Sequence, residues 1–434
     1  MNPGVPAARA VGTVAAAAPQ PDRWGVLFLL TGAYALNIAD RFSISTVIEP
    51  IRTELHLSDA GVAALTGVAL GVFYVTLGIP IAAWADRTNR RNILSVSLAL
   101  WSAMTIACGL VQSSWQLLLA RFGVGIGEAG GTPPSTSILA DKFPAARRPL
   151  ALTVYSLGAC LGAALGSAGG LIAQPFGWRA VFGALGAPGL ALALVVRVAV
   201  REPPRGALDA TPRAAPSAFG ATLAYIVRQR SAVHLLLGGS VATLWSWGLM
   251  WWTPTFLQRS HHLSLGQSGA LLGPMHLIAG TLGTLVAGWF MARRVASDPR
   301  YVARLLALVV VLTTIPSVLA YRVDSLPSAT VLLWMFVPGV YFFIGPILGL
   351  LQNVIPANMR ATACALLLFL ANVGNLVVAP QLIGWLSDWF RADFGAGNES
   401  LRWALLVLAP TGLWAAAHLW WSGRTIRADE ARAS

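Results

Sequence analysis

The sequence predicts an all-α membrane protein whose twelve transmembrane helices form two six-helix bundles related by pseudo-twofold symmetry. Three observations support this fold class. Hydrophobic residues make up 56% of the 434-residue chain and charged residues 11%, apolar stretches of about 20 residues recur along it, and short motifs repeat between its halves. Because an average soluble domain carries about a quarter charged residues, the composition excludes a disordered chain and argues against a soluble enzyme.

The apolar stretches define the predicted elements, because each can cross a hydrocarbon core about 30 Å thick. Spans 1 to 6 are predicted at residues 24–48, 60–84, 93–112, 115–139, 149–172 and 178–199, and spans 7 to 12 at 231–256, 266–291, 301–321, 328–352, 360–385 and 401–422. The resulting division is an N-terminal tail at 1–23, an N-terminal bundle at 24–200, a central loop at 201–230, a C-terminal bundle at 231–422 and a C-terminal tail at 423–434.

The basic residues orient these spans. Of the 30 basic residues 29 are Arg, and they are spread over short loops, which favours a topological role over nucleic-acid binding. Because the number of spans is even, both termini lie on the same side of the membrane. That side holds 21 basic residues, the opposite side holds six, and three lie within spans. The positive-inside rule therefore predicts that the tails and the central loop are cytoplasmic. The preference for Arg over Lys indicates a bacterial cytoplasmic membrane.

Two short matches indicate an internal repeat. Residues 144–148 (PAARR) after span 4 and 356–360 (PANMR) after span 10 share a P-A-x-x-R pattern, 212 positions apart. Asp86-Arg87 after span 2 corresponds to Ala292-Arg293 after span 8, 206 positions apart. Because both matches fall in equivalent loops, the two halves are predicted to share one fold.

Six plus six helices with a basic central loop resemble the major facilitator superfamily, whose two bundles rock about a midplane cavity. Residues 82–91 (AAWADRTNRR) resemble the superfamily signature G-x-x-x-D-R-x-G-R-R, with Ala82 and Asn89 at its two glycine positions. The Spinster-like subfamily is similar at further segments, which are 37–42 (NIADRF), Arg121 with 125–129 (GIGEA), 141–143 (DKF), 201–206 (REPPRG) and, in the C-half, 384–388 (GWLSD). The anion:cation symporter group, with N-x-x-D-R in span 1 and G-x-x-E in span 4, is the second candidate.

Asp40 and Glu128 are the acidic residues well inside the predicted spans, where an unpaired carboxylate costs roughly 2.5–3.5 kcal/mol. Arg121 and Glu128 are seven positions apart and share one face of span 4, so Arg121 can reach Asp40 while Glu128 points into the cavity. With Arg41 the four charges sum to zero, and the protonation of one carboxyl can depend on the side to which the cavity opens. These residues are the candidate proton-coupling and substrate site. The structural alternative is a fixed ion pair between spans 1 and 4.

The resemblance implies that Asp40 and Glu128 occupy the proposed coupling and substrate-contact positions of Spinster-like carriers. The superfamily signature also covers the loop after span 2. Asp86 there is expected to interact with the positive N-terminal end of span 11 and with Arg90 or Arg91. Together with Arg87 these residues are the predicted conformational latch, which would stabilise the outward-open state. A solvated turn with topology-determining arginines is the alternative.

Further side chains are predicted to line the cavity. They are Asn37, Tyr155, Trp247, His276, Tyr341, Asn372 and Asn375. For His276 a satisfied buried imidazole is favoured over a proton relay. The tryptophans of span 7 are interpreted first as an interfacial aromatic belt at its outer end, with an apolar wall for an acyl chain as the alternative. They are Trp245, Trp247, Trp251 and Trp252.

Two local patterns concern helix geometry. Gly158, Gly162, Gly166 and Gly170 form a stripe of small residues along span 5 on which another helix can pack closely, with a seam between the halves as the second interpretation. Pro133-Pro134 is predicted to break or kink span 4 just after Glu128.

The predicted function is secondary active transport by alternating access, coupled to protons. The resemblance implies an amphiphilic substrate such as a lysophospholipid or sphingolipid, and the alternative is a small organic carboxylate that Arg121 would bind. A non-transporting sensor is disfavoured because the tails are short, and an enzyme because no nucleophile with a base and no H-E-x-x-H motif is present. The expected partners are substrate, protons and membrane lipid. Neither a cofactor nor a metal is expected, and the chain is expected to act as a monomer.

Overall fold

The computed structural model describes residues 21–85, 87–144, 147–206, 208, 217–294 and 298–433. These residues form helices and connecting turns, without a β-strand among them. Most of the predicted N-terminal tail, and residues 207 and 209–216 of the central loop, lie outside the described part of the chain. Below, the outer side means the side opposite to the two chain termini.

The N-half contains spans 1 to 6, in chain order. Its α-helices are Arg23–Thr46, Ile48–Glu54, Asp59–Ala63, Ala69–Ala85, Arg90–Cys108, Ser114–Glu128, Thr132–Lys142, Arg148–Phe176 and Trp178–Ala199. A π-helical turn, Ala64–Val68, makes span 2 continuous from Asp59 to Ala85. Span 4 consists of the two helices Ser114–Glu128 and Thr132–Lys142.

The C-half contains spans 7 to 12, preceded by a short linker helix, Phe219–Arg228. Its other α-helices are Arg230–Ser260, Leu265–Pro274, Thr281–Arg294, Pro299–Arg322, Leu326–Phe342, Ile344–Asn353, Arg360–Asn372, Ala379–Asp393, Ser400–Leu408 and Thr411–Ala433. π-Helical turns at Met275–Gly280 and Val373–Val378 lie inside spans 8 and 11, and a 3-10 turn, Gly397–Glu399, begins span 12.

Within the described residues, ten helices are long and apolar enough to cross a membrane. They do not include span 1 or the divided span 4. Span 4 is divided into helices of 15 and 11 residues, and span 1 carries the charges of Asp40 and Arg41, which lower its hydrophobicity. The predicted all-helical architecture with twelve spans is confirmed.

The break in span 4 is confirmed as well. The first helix ends at Glu128 and the second begins at Thr132, with Pro133 in its first turn. Proline lacks the N–H that would continue the hydrogen-bond ladder and tolerates the first turn of a helix. The amides of Gly130 and Gly131 bond to the carbonyls of Gly127 and Glu128 in tight turns. Glu128 is therefore the last residue of the first helix before the break.

The same pairing of spans recurs in both halves. Span 1 packs on span 5 as span 7 packs on span 11, and span 3 packs on span 6 as span 9 packs on span 12. The halves meet where span 5 contacts span 8 and where span 2 contacts span 11. This arrangement gives the pseudo-twofold relation that the sequence predicts.

The small-residue stripe of span 5 packs against span 1 and against span 8. A Cβ atom at Gly162 would collide with the carbonyl oxygen of Ala35 in span 1, and Gly158 and Gly166 face span 1 in the same way. A Cβ atom at Gly170 would instead collide with the carbonyl oxygen of Leu265 in span 8. Close packing within the N-half therefore explains three of these glycines, and the seam between the halves explains the fourth.

Candidate functional site

The first buried ion pair joins spans 1 and 4. Arg121 Nη1 donates to Asp40 Oδ2 at 2.7 Å, and Thr105 Oγ1 of span 3 donates to Asp40 Oδ1 at 2.8 Å. All three side chains are buried. The expected contact between Arg121 and Asp40 is therefore present, and both oxygens of this carboxylate are hydrogen-bonded.

The second buried ion pair joins the same two spans. Arg41 Nε donates to Glu128 Oε2 at 2.8 Å, and Arg41 Nη2 lies 2.6 Å from the same oxygen. The Arg41 guanidinium also lies over the ring of Tyr74 in span 2, 4.4 Å from its centre. The expectation that Glu128 points into an open cavity is not met, because the side chain is buried and bonded to Arg41.

The two carboxylates differ in how completely their oxygens are hydrogen-bonded. Within the described part of the chain, Glu128 Oε1 has no hydrogen-bond partner, and neither do Arg121 Nε and Nη2. A buried polar atom without a partner loses hydration and gains nothing in exchange. At these atoms, therefore, a proton, a water molecule or a substrate group would supply the missing partner.

Glycines in the GIGE segment bring Glu128 to this position. A Cβ atom at Gly125 would lie 2.6 Å from the carbonyl oxygen of Leu70 in span 2. A Cβ atom at Gly127 would lie 2.6 Å from the backbone nitrogen of Trp101 in span 3. Span 4 thus approaches two neighbours at backbone contact distance just before its last residue, which fixes the direction of Glu128.

An aromatic cluster extends from the second ion pair into the C-half. Phe42, the residue after Arg41, packs edge-on against His276 and Trp247, with ring centres 4.9 and 5.7 Å apart. Trp247 packs against Tyr341 at 5.3 Å, and His276 Nδ1 lies 2.9 Å from the Tyr341 hydroxyl oxygen. The structure therefore places His276 as a buried imidazole with a partner. Phe42 is a contact between the halves that the sequence analysis missed.

Asn37 and Tyr155 line a different space. They border a small cavity inside the N-half, together with Tyr34, Trp101 and Ser135. The rings of Tyr34 and Tyr155 stack with their centres 4.8 Å apart. This cavity lies among spans 1, 3, 4 and 5 rather than between the two halves.

The two asparagines of span 11 lie at its π-helical turn. Asn372 Nδ2 donates to the carbonyl oxygen of Leu368 in the same helix at 2.7 Å. Asn375 lies inside the turn and is half-buried. The side chain of Asn372 therefore bonds to the backbone of its own helix.

The belt interpretation of the span 7 tryptophans is wrong. Trp245, Trp251 and Trp252 are buried in the C-half, and Trp247 belongs to the aromatic cluster. The Trp245 indole donates to Ser317 Oγ at 3.2 Å. Tryptophans at an interface keep one edge in the headgroup region, whereas these three pack among helices. Periodic tryptophans in a span do not distinguish the two cases.

On the terminus side, motif residues from three loops converge on Arg90. Its guanidinium is buried, with Nη1 2.5 Å from Asp141 Oδ2 and Nε 2.7 Å from Glu202 Oε1. Glu202 Oε2 accepts from the backbone N–H of Arg91 at 2.9 Å, and Asp141 Oδ1 accepts from the N–H of Gly206. The side chain of Arg90 is therefore bound within the N-half.

The remaining latch residues are placed as follows. Asp86 lies outside the described residues, and Arg87 is exposed in the turn after span 2. The side chain of Arg91 donates to its neighbour Asn92. The described residues thus provide hydrogen-bond partners for the side chains of Arg90 and Arg91.

Sequence reasoning missed a group of charges on the outer side, here called the outer ion cluster. It consists of Glu49, Arg52, Asp59, Arg259 and Arg391. Arg259 at the end of span 7 holds both oxygens of Asp59 at the start of span 2, at 2.7 and 2.8 Å, and also lies 2.7 Å from Glu49. Arg391 of span 11 donates to Asp59 at 2.8 Å. The cluster therefore ties the halves together and closes the outer side.

Neighbouring groups add to this closure. Asp388 of span 11 accepts from the backbone N–H groups of Asp59 and Ala60 at 3.0 and 2.8 Å, which caps the N-terminus of span 2. Partial burial works against the charge of Glu49, but the hydrogen bond from Arg52 and the charge of Arg259 outweigh it and hold the pKa of Glu49 below its ordinary value.

The distribution of basic residues could have indicated this cluster. The six basic residues on the outer side were exceptions to the charge bias, and five of them pair with acids. These five are Arg52, Arg179, Arg259, Arg391 and Arg402. An Arg that opposes the topological bias can thus be inspected first for a structural partner.

Comparison with known proteins agrees with this architecture. A family model described as the Major Facilitator Superfamily matches residues 30–379. An MFS-type efflux pump of Mycolicibacterium smegmatis is 34% identical over 391 residues, which cover 89% of each chain. Human protein spinster homolog 1 is 26% identical, over 92% of this chain and 80% of its own length.

A solved structure is similar over nearly the whole chain. It is the crystal structure of a bacterial homologue of the human lysosomal transporter Spinster, in an inward-facing and unoccupied conformation. Its TM-score is 0.82 and its sequence identity 28%, over 94% of this chain and 98% of that one. This chain therefore belongs to the major facilitator superfamily, as a multi-pass membrane transporter of the Spinster type rather than an enzyme.

Proposed function

We propose that this transporter is a proton-coupled carrier that moves an amphiphilic, lipid-like substrate, such as a lysophospholipid or sphingolipid, by alternating access. The observation that carries the proposal is the difference in hydrogen bonding between the two buried carboxylates. Asp40 has both oxygens bonded, whereas Glu128 Oε1 lacks a partner among the described residues. Glu128 is therefore the proposed proton acceptor and Asp40 the fixed partner of Arg121.

The geometry supports a way to couple proton and substrate. Arg41 contacts a single oxygen of Glu128, so an anionic headgroup can compete with the carboxylate for this guanidinium. Once Arg41 turns to the headgroup, Glu128 loses its counter-charge, and burial then favours its protonated form. Binding of an anion and binding of a proton thereby assist each other.

The aromatic cluster supports transmission of this event to the other half. Phe42 follows Arg41 directly in span 1 and contacts His276 and Trp247 of the C-half. A movement of Arg41 therefore acts on a contact that spans the two bundles. The same rings offer an apolar surface to an acyl chain or sphingoid base.

The outer ion cluster supports alternating access. It closes the outer side in this conformation, so the proposed cavity opens toward the termini, which the charge bias assigns to the cytoplasm. In the opposite state these pairs would separate. The proposed residence is accordingly a bacterial cytoplasmic membrane with both termini inside.

The alternative is a small organic carboxylate moved with a proton. Arg121 has two nitrogen atoms without partners among the described residues, and a planar carboxylate fits a guanidinium bidentately. This alternative needs no acyl-chain surface and no sideways opening to lipid.

The proposal is tested with purified protein in liposomes under an imposed pH gradient. Translocation of a fluorescent lysophospholipid and accumulation of a radiolabelled sugar acid are measured in parallel. We expect the pH gradient to drive the lysophospholipid and not the sugar acid. Gradient-driven accumulation of the sugar acid alone would support the carboxylate alternative, and lysophospholipid movement that ignores the gradient would contradict proton coupling.

A further inference from the structure

The linker helix, Phe219–Arg228, has two apolar faces of which the protein covers one. Thr222 and Ile226 are buried against spans 7 and 11. Phe219, Leu223 and Val227, each four positions apart, are 60, 41 and 67% exposed. Residues at this spacing form one stripe along a helix, so a second apolar stripe, next to the buried one, is left exposed.

The ends of the linker helix fix its direction. Just before it, Ser217 is joined to Asn358 by two hydrogen bonds, at 3.1 and 2.7 Å, and Asn358 lies two residues before span 11 begins. At its other end Gln229 breaks the helix and span 7 begins at Arg230. Both attachment points are terminus-side ends of spans. A helix of about 15 Å that joins them lies roughly parallel to the membrane.

The depth of the linker helix follows from its neighbours in span 12. His234 of span 7 packs against Trp421, with ring centres 5.7 Å apart. Trp420 and Trp421 are exposed on span 12, where aromatic side chains typically mark the edge of the hydrocarbon core. Span 7 begins at Arg230, four residues and about 6 Å along the helix before His234. The linker helix is thus at the level of the lipid headgroups, which extend roughly 5–8 Å beyond the core.

The charges around this corner are predominantly positive. Arg228 and Arg230 are exposed, and the Arg432 side chain reaches Gln229 from the end of span 12 at 3.0 Å. Asp429 is buried, where it caps the backbone N–H of Ser231 and pairs with Arg432. Glu430 lies on the same turn of span 12.

We propose that the linker helix docks into the membrane leaflet on the terminus side and binds anionic phospholipid there. The stripe of Phe219, Leu223 and Val227 enters the boundary between headgroups and acyl chains. Arg228 and Arg230 contact lipid phosphates, as basic residues next to a span do on an anionic leaflet. The helix thereby anchors the C-half to one leaflet while the N-half moves.

The depth is tested by spin-label accessibility in full-length protein reconstituted in nanodiscs, with phosphatidylcholine alone or mixed with phosphatidylglycerol. Labels are placed at Leu223→Cys and, as a matched position on the opposite exposed face, at Ala221→Cys, both in a Cys364→Ala background. We expect the label at 223 to be accessible to oxygen and shielded from a polar nickel chelate, and the label at 221 to show the reverse. A label at 223 that is open to the chelate, or shielded from both reagents, overturns the proposal.

The charge requirement is tested by native mass spectrometry of bound phosphatidylglycerol. The double variant Arg228→Gln/Arg230→Gln is compared with Arg424→Gln, an exposed Arg on the same side of span 12. We expect the double variant to bind this lipid roughly 10- to 30-fold more weakly, since each basic residue near an anionic surface contributes about 1 kcal/mol. Equal binding by the double variant and Arg424→Gln overturns the proposal.

Discussion

At the scale of single residues, the two buried carboxylates are bonded to different extents. Asp40 accepts from Arg121 and Thr105, whereas Glu128 uses one oxygen for Arg41. Removal of one partner from a buried ion pair typically costs about 3–5 kcal/mol, a large part of the roughly 5–15 kcal/mol free energy of unfolding of a native protein. The two pairs therefore have testable consequences for both stability and transport.

The first prediction concerns Glu128→Gln, which mimics the protonated carboxyl permanently. Substrate should still bind and exchange across the membrane, but an imposed pH gradient should no longer concentrate it in proteoliposomes. Glu54→Gln is the matched control, because Glu54 pairs with Arg179 and Trp178 on the outer surface of the N-half. If Glu128→Gln accumulates substrate as well as the wild type does, Asp40 becomes the coupling candidate.

The second prediction concerns Arg121→Ala, which leaves Asp40 buried with Thr105 as its remaining partner. We expect a loss of about 3–5 kcal/mol in the free energy of unfolding, measured by denaturant titration in detergent. The double variant Asp40→Asn/Arg121→Ala should recover most of that loss, because it removes the uncompensated charge. A double variant no more stable than Arg121→Ala would mean that the pair contributes through packing instead.

Part of this site could be predicted from the sequence. The seven-residue spacing of Arg121 and Glu128 gives their common face, and charge balance requires partners in another span. The contact of Arg121 with Asp40 was predicted, but the pairing of Arg41 with Glu128 was not, because it depends on the rotation of span 1. Neighbours on a helix differ by about 100°, so Asp40 and Arg41 point in different directions and must have different partners.

At the scale of elements, the interface between the halves depends on π-helical turns and glycines. Gly67 lies in the π turn of span 2, where a Cβ atom would be 2.7 Å from the carbonyl oxygen of Leu376 in the π turn of span 11. Hydrophobic stretches predict that these spans exist, because length and composition determine membrane insertion. They do not predict a π turn, which depends on packing between distant segments.

The third prediction tests this close contact. Gly67→Ala should push spans 2 and 11 apart and shift the population away from the outer-closed state, because its Cβ atom meets backbone that cannot yield easily. Pulsed electron–electron double resonance between spin labels on the outer ends of the two halves should show longer distances. Gly183→Ala is the control, since nothing lies within 4 Å of a Cβ atom there. An unchanged distribution in Gly67→Ala would show that the interface adapts.

At the scale of the whole molecule, the outer ion cluster holds the present conformation. The fourth prediction is that Arg259→Gln favours outer opening, because it leaves Asp59 and Glu49 without their main partner from the C-half. The same distance measurement should show a larger open fraction. Arg402→Gln is the matched control, because Arg402 pairs with Asp324 and Glu399 inside the C-half. Equal effects of the two variants would contradict the role of the outer ion cluster in holding the halves together.

The fifth prediction concerns acid. The pKa of Glu49 is lowered from 4.5 in the closed state, where Arg52 and Arg259 face it. A lowered pKa means that this carboxylate stabilises closure above about pH 4.5 and that the contribution is lost as pH falls further. The difference in open fraction between wild type and Glu49→Gln should thus be constant between pH 5 and 8 and shrink in stronger acid. A difference that changes near neutrality would point to another group.

The neutrality of the buried ion pairs has a consequence for membrane voltage. Asp40, Arg41, Arg121 and Glu128 sum to zero when all are ionised, so the empty carrier presents no net charge to the electric field at this site. A proton on Glu128 leaves one positive charge. Moving one elementary charge across a membrane potential of 100 mV changes its energy by about 2.3 kcal/mol. A substrate with one negative charge would restore neutrality, whereas a zwitterion would not. The voltage dependence of turnover would then report the net charge of the molecule that is carried.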